Sequence, residues 1–178
     1  MEQLGAAIID ADELSREVVG PGQDAWKEIV ETFGAEILQE DKTLDRRKLR
    51  KIVFDNPAVR KQLEAMIHPR VRARAEERIR ELTAAGRSII VYEVPLLFEG
   101  QLHQWLRPVI LVACDVSTQK KRLQERDHLT DTEAQRHIDA QMSLAEKRQL
   151  ADFVIENNGS LADLKRQVRT VLKKINAT

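Results

Sequence analysis

Four short apolar runs constrain this chain more than any other feature: AAIID (6–10), SIIVYEV (88–94), PVILVAC (108–114) and DFVIEN (152–157). Three are nearly continuous rather than alternating. That pattern suits strands of a parallel sheet covered on both faces. Helical segments fill the gaps, as βαβ connections require. The expected class is therefore α/β with a parallel sheet.

The first gap is too long for one crossover helix and holds about three. AWKEIVETF places Trp26, Ile29, Val30 and Phe33 on one face, and LDRRKLRKIVF follows. The longest begins at NPAV, where Asn56 before Pro57 is a helix start. Leu63, Met66, Ile67, Val71, Ala75, Ile79 and Leu82 keep 3–4 spacing along it. Pro69 lies inside that pattern and is expected to kink or break the helix near His68. Residues 17–82 thus read as a helical insertion beside a core made of 1–16, 83–126 and 151–178. Further on, Thr130 with Glu133 and Ser143 with Glu146 open two more helices as capping boxes, and Ser160 with Asp163 opens a final helix.

Charge excludes some partners. Lys plus Arg is 29 and Asp plus Glu is 29, a balance that argues against a broad nucleic-acid or membrane surface. The single cysteine, Cys114, rules out a disulfide within the chain and reads as a small buried hydrophobe. No apolar run approaches 18 residues and Met1 opens no leader pattern, so a cytoplasmic protein is expected.

In open parallel sheets, ligands sit beyond the carboxyl ends of the strands. The first run delivers Asp10 and Asp12 there. The second delivers Glu93 and then PLLFEG. The third delivers Asp115, followed by Lys120, Lys121, Arg122 and Arg126, and the fourth delivers Asn157, Asn158 and Gly159. Acids close to Lys/Arg clusters suit proton abstraction from a hydroxyl beside bound phosphates. Each residue also has a plain structural role. Asp at a strand–helix junction caps the helix, KKRLQER forms a solvated face, His68 packs at a helix end, and NNGS makes a turn.

IIDADELSREVV, HPRVR, VPLLFEG, KKRLQERD, DAQM with EKRQLAD, and VIENNGS occur in that order. Together they resemble dephospho-coenzyme A kinases over essentially the whole chain. The resemblance implies a P-loop-kinase-like parallel sheet, a helical acceptor-binding insertion and a lid over 127–150. The implied reaction moves the ATP γ-phosphoryl to the 3′-hydroxyl of dephospho-CoA, with magnesium accompanying the nucleotide and no residue nominated as a metal ligand. By the same resemblance Asp12 is the base, with Asp10, His68, Arg72, Leu97 and Phe98 around the acceptor. Arg122, Arg126, Gln141, Lys147 and Asn157 match positions near ATP.

The match has a gap. The family opens with a strand followed by G-x-x-x-x-G-K-S/T, and none of the seven glycines here precedes Lys-Ser or Lys-Thr at that spacing. MEQLG resembles the tail of the helix after that loop, so roughly 20–25 residues of a strand–loop–helix unit are expected to be missing. The expected causes are a misassigned or trimmed start, natural loss in a non-catalytic CoA- or nucleotide-binding relative, or a strand supplied by another chain. Loss of a central strand would leave two ladder edges exposed. Asp41–Lys42 also stands where the family commonly has an Asp-Gly turn.

Overall fold

A computed structural model describes residues 1–54 and 56–176. They form two compact units, Met1–Pro95 and the chain from Leu96 onward.

The first unit holds β1 (Ala7–Asp10), α1 (Ala11–Val18), α2 (Asp24–Phe33), α3 (Arg46–Phe54), α4 (Pro57–Ala84) and β2 (Ile90–Glu93). β1 and β2 pair in parallel, with Ala7 opposite Ile90 and Asp10 opposite Glu93. Two apolar clusters divide the unit. Ile9, Leu14 and Ala75 are the buried centre of one, with Val71, Ile79, Leu82, Ile90 and Tyr92 against them. Ala25, Ile29, Ile37, Leu44, Leu49 and Met66 centre the other, with Trp26, Val30, Phe33, Leu63 and Ile67 around them. The expected apolar faces of α2 and α4 are the observed ones.

α4 serves both clusters, which explains its behaviour at Pro69. The expected break does not occur: 28 residues run helical from Pro57 to Ala84. A proline inside a helix costs about 3 kcal/mol through its missing N–H and its ring. Here the turns before Pro69 bury Leu63, Met66 and Ile67 against α2 and α3. The turns after it bury Val71, Ala75 and Ile79 against β1 and α1. A full core side chain is worth about 1.5–3 kcal/mol, so burial on both sides outweighs the proline. Arg70 adds a clamp, donating to the Met66 carbonyl at 2.6 Å and pairing with Glu28 at 2.7 Å.

The second unit holds β3 (Ile110–Ala113), α5 (Val116–Asp127), α6 (Asp131–Asp139), α7 (Leu144–Leu150), β4 (Phe153–Glu156) and α8 (Leu161–Ile175). β3 and β4 pair in parallel, with Ile110 opposite Phe153 and Ala113 opposite Glu156. Phe98, Val109, Leu111 and Ala113 form the buried centre. α7 and its approach are anchored there by Met142, Leu144 and Leu150. The two expected capping boxes at Thr130 and Ser143 are formed, and Ser160 with Asp163 makes a third at the start of α8. Asp152 braces the starts of both strands, accepting from Arg107 and from the Val109 N–H at 2.6 Å each.

The class is α/β and every ladder is parallel, as expected, but the strands form two two-stranded sheets rather than one. Among the described residues nothing pairs with the second edge of β2 or of β3. Cys114, expected to be buried, is half-buried just past the end of β3. Among the described residues no helix is long and apolar enough to cross a membrane.

Candidate phosphoryl-transfer residues

The first unit shows why two acids stand at the end of a strand. Asp10 is the N-cap of α1. Its Oδ1 accepts from the Asp12 N–H at 2.7 Å and the Glu13 N–H at 3.3 Å. Asp12 stands in the first turn, open to solvent, and its carboxylate has no hydrogen bond or ion pair among the described residues. One acid holds the helix and the other is presented by it. Glu93, in register with Asp10 across the ladder, is exposed as well.

α1 is fixed on α4. Leu14 packs with Ala75, and Arg74 bridges to Glu17 at 2.7 Å and to Glu77 at 2.7 Å. His68 and Arg72 lie four residues apart on α4, both exposed and therefore on one helical face. Arg72 Nε donates to Glu76 at 3.0 Å.

In the second unit the segment LLFEG separates into three roles. Phe98 is 6% exposed and stacks near the buried His103 ring at 5.7 Å, so its ring is core. Leu97 is half-buried beside it. Glu99 makes contacts that sequence reasoning misses. It binds Lys147 Nζ at 2.8 Å and the Met142 N–H at 3.0 Å. Lys147 also donates to Gln141 Oε1 at 3.1 Å and is 11% exposed at its side chain. Burial pushes the Glu99 carboxyl up, but the Lys147 ammonium and the Met142 N–H outweigh it and hold the group below the usual carboxylate range. The only sequence clue to Glu99 is an acid following three apolar residues, which by itself has no partner.

On α5, Lys120 pairs with Asp131, Lys121 with Glu125, and Arg126 with Asp127 at 2.7 Å. Arg122 is exposed and has no acidic partner among the described residues. Asn157 continues the ladder, donating its N–H to the Ala113 carbonyl at 2.6 Å, and Asn158 Oδ1 accepts from the Asp115 N–H at 2.8 Å. The strand ends therefore carry two sets: a free carboxylate in the first unit, and cations with a polar loop in the second. Among the described residues no three His, Cys, Asp or Glu side chains converge as a metal site. A magnesium ion would have to take its ligands chiefly from nucleotide phosphates and water.

A family model for dephospho-CoA kinase matches residues 1–163. The dephospho-CoA kinase of Geobacillus kaustophilus is 44% identical over 177 residues, covering 99% of this chain and 88% of that protein. A dephospho-CoA kinase domain-containing protein of Danio rerio is 42% identical, covering 98% and 77%. Among solved structures, TT1252 from Thermus thermophilus superposes with a TM-score of 0.81 at 34% identity, covering 97% of this chain and 86% of that one. The dephospho-CoA kinase from Campylobacter jejuni gives 0.72 at 30% identity, covering 98% and 87%.

Proposed function

The chain belongs to the dephospho-CoA kinase family, and from that premise we propose how its residues serve transfer of the ATP γ-phosphoryl to the 3′-hydroxyl of dephospho-CoA. The observation that carries this reading is the pair at the end of β1. Asp10 is occupied as a cap, whereas the Asp12 carboxylate stands open to take a proton. The 3′-oxygen forms a bond to the γ-phosphorus as the bond to the bridging oxygen breaks. The hydroxyl proton passes to Asp12, and ADP leaves.

Such a transfer is governed by positioning and charge neutralisation more than by covalent chemistry. Residues 17–82 hold the acceptor, with His68 and Arg72 on the exposed face of α4. Leu97 offers apolar contact, and Phe98 supports it from the core. Arg122 is ready to meet phosphate oxygens. Arg126 must exchange Asp127 for them, and Lys147 must exchange Glu99. Residues 127–150 act as the lid, with Gln141 helping to place Lys147, and Asn157 lies in the loop for the base. A backbone phosphate cradle, its lysine and its hydroxyl are not among these residues, and no step is assigned to them or to magnesium. The setting for this reaction is the cytoplasm. ATP-dependent formation of CoA from dephospho-CoA, assayed with a strand–G-x-x-x-x-G-K-S/T–helix segment joined ahead of Met1, tests the reading. No product from that form, folded and at micromolar enzyme, would reject it.

A further inference from the structure

Within the first unit, a cleft of about 560 Å3 lies between the end of α1, the Gly20–Pro21 turn, the 38–44 hairpin and the start of α3. Three arginines line it: Arg16, Arg46 and Arg47. All three are exposed, and none has an acidic partner among the described residues. Nearby α4 is different, since Arg74 is matched by Glu17 and Glu77, and Arg78 by Glu81. The one acid in the cleft, Asp45, is turned to its own helix. Its Oδ1 accepts from the Arg47 and Lys48 N–H groups at 3.0 and 3.1 Å. Gln39 and Thr43, joined at 3.2 Å, add neutral polar groups.

We propose that this cleft binds the 5′-diphosphate of the acceptor, an inference that rests on dephospho-CoA being that acceptor. Guanidinium forks pair with phosphate oxygens two bonds at a time, and three of them match the charge of a diphosphate better than that of a single phosphate. The spacing along α1 agrees. Arg16 follows Asp12 by four residues, so the two share a helical face about 6 Å apart along the axis. The 3′-oxygen and 5′-phosphate of one ribose are separated by about the width of the sugar. A ribose lying along α1 therefore presents its 3′-hydroxyl to Asp12 while its diphosphate reaches Arg16. The cleft is larger than a diphosphate and leaves room for the start of the attached chain. Binding at this non-reacting part of the acceptor is what would orient the hydroxyl.

Calorimetric titrations of the 178-residue protein with inorganic pyrophosphate, dephospho-CoA and ADP test the assignment. Arg16→Gln and Arg46→Gln should each weaken pyrophosphate and dephospho-CoA by about ten- to a hundredfold, and weaken ADP, which carries the same adenosine 5′-diphosphate, along with them. Arg46→Lys should recover part of the loss, since charge remains and the fork does not. Both sites are exposed, so melting temperatures should stay at the wild-type value. Unchanged dephospho-CoA affinity in both variants overturns the inference. Weakened ADP with unchanged dephospho-CoA also overturns it, by assigning the arginines to the nucleotide. If the wild-type protein binds pyrophosphate through these arginines but never binds dephospho-CoA, the diphosphate site stands and the kinase reading fails.

Discussion

Asp10 and Asp12 are chemically identical and two residues apart, yet their surroundings divide cap from candidate base. Substituting each should therefore produce opposite phenotypes. Asp10→Ala removes a side chain that accepts two helix N–H groups and should cost about 0.5–2 kcal/mol of stability. Asp12→Asn breaks no contact and should melt like wild type. In the form carrying the phosphate-loop segment it should lower turnover by about 10²–10⁴-fold with little change in acceptor affinity. Thermal melts and steady-state kinetics on both variants decide the matter; wild-type turnover in Asp12→Asn would move the base elsewhere. A second contrast concerns cations. Lys147 is 11% exposed and faces a Glu99 that is 22% exposed, whereas the Arg126 side chain is 73% exposed. Lys147→Ala leaves an acid without its partner and should destabilise by about 1–3 kcal/mol. Arg126→Ala should stay within about 0.5 kcal/mol of wild type. Equal denaturation midpoints for the two would show that the Glu99 pair does not hold α7 in place.

At the scale of elements, the turn between residues 38 and 44 shows how a local rule is broken and compensated. Lys42 adopts a φ of 64°, the left-handed region where glycine is at ease. The turn survives because the Lys42 N–H donates to the Gln39 carbonyl at 3.0 Å and the Trp26 indole donates to the Lys42 carbonyl at 2.8 Å. A side chain in this conformation costs about 1–2 kcal/mol, and a glycine would relieve that cost while losing part of the gain to the greater entropy of its unfolded chain. Lys42→Gly should stabilise the protein by about 0.5–1 kcal/mol, read as a higher denaturant midpoint at unchanged slope. A lower midpoint would mean that the lysine side chain makes up for its backbone. α4 carries the complementary lesson, because burial on both sides of Pro69 keeps a helix that local propensity would end.

For the whole molecule, each ladder has only two strands, so every strand has one edge without a ladder partner among the described residues. Apolar side chains lie open on them: Ile8 is 38% exposed on β1 and Val112 is 56% exposed on β3. Unpaired edges with apolar side chains favour association between chains. The 178 residues also contain no G-x-x-x-x-G-K-S/T loop to fix the γ-phosphoryl, and positioning is worth about 7–11 kcal/mol of such a barrier. A polypeptide of these residues alone should bind dephospho-CoA, self-associate in sedimentation, and form no detectable CoA. Joining a strand–loop–helix segment ahead of Met1 should raise turnover and lower association together. Normal turnover by the 178 residues alone would mean that other groups hold the phosphates.

Local and periodic features are legible in the amino-acid sequence itself. The continuous apolar runs, the 3–4 spacing of Leu63 through Leu82, and the Thr130 and Ser143 boxes depend on neighbours within a few residues. Such patterns fix strand, helix and cap directly. The ordered motifs from IIDAD to NNGS carry the family. Long-range choices are not legible there, because each depends on what is brought alongside. Pro69 stays helical since two clusters meet α4 on either side of it. Glu99 lies in a turn and acquires its meaning from Lys147, 48 positions away in α7. Arg16, Arg46 and Arg47 line one cleft only because a hairpin folds α3 back toward α1. Short-range geometry follows from backbone periodicity, while charge partners and concavities arise only when distant segments pack together.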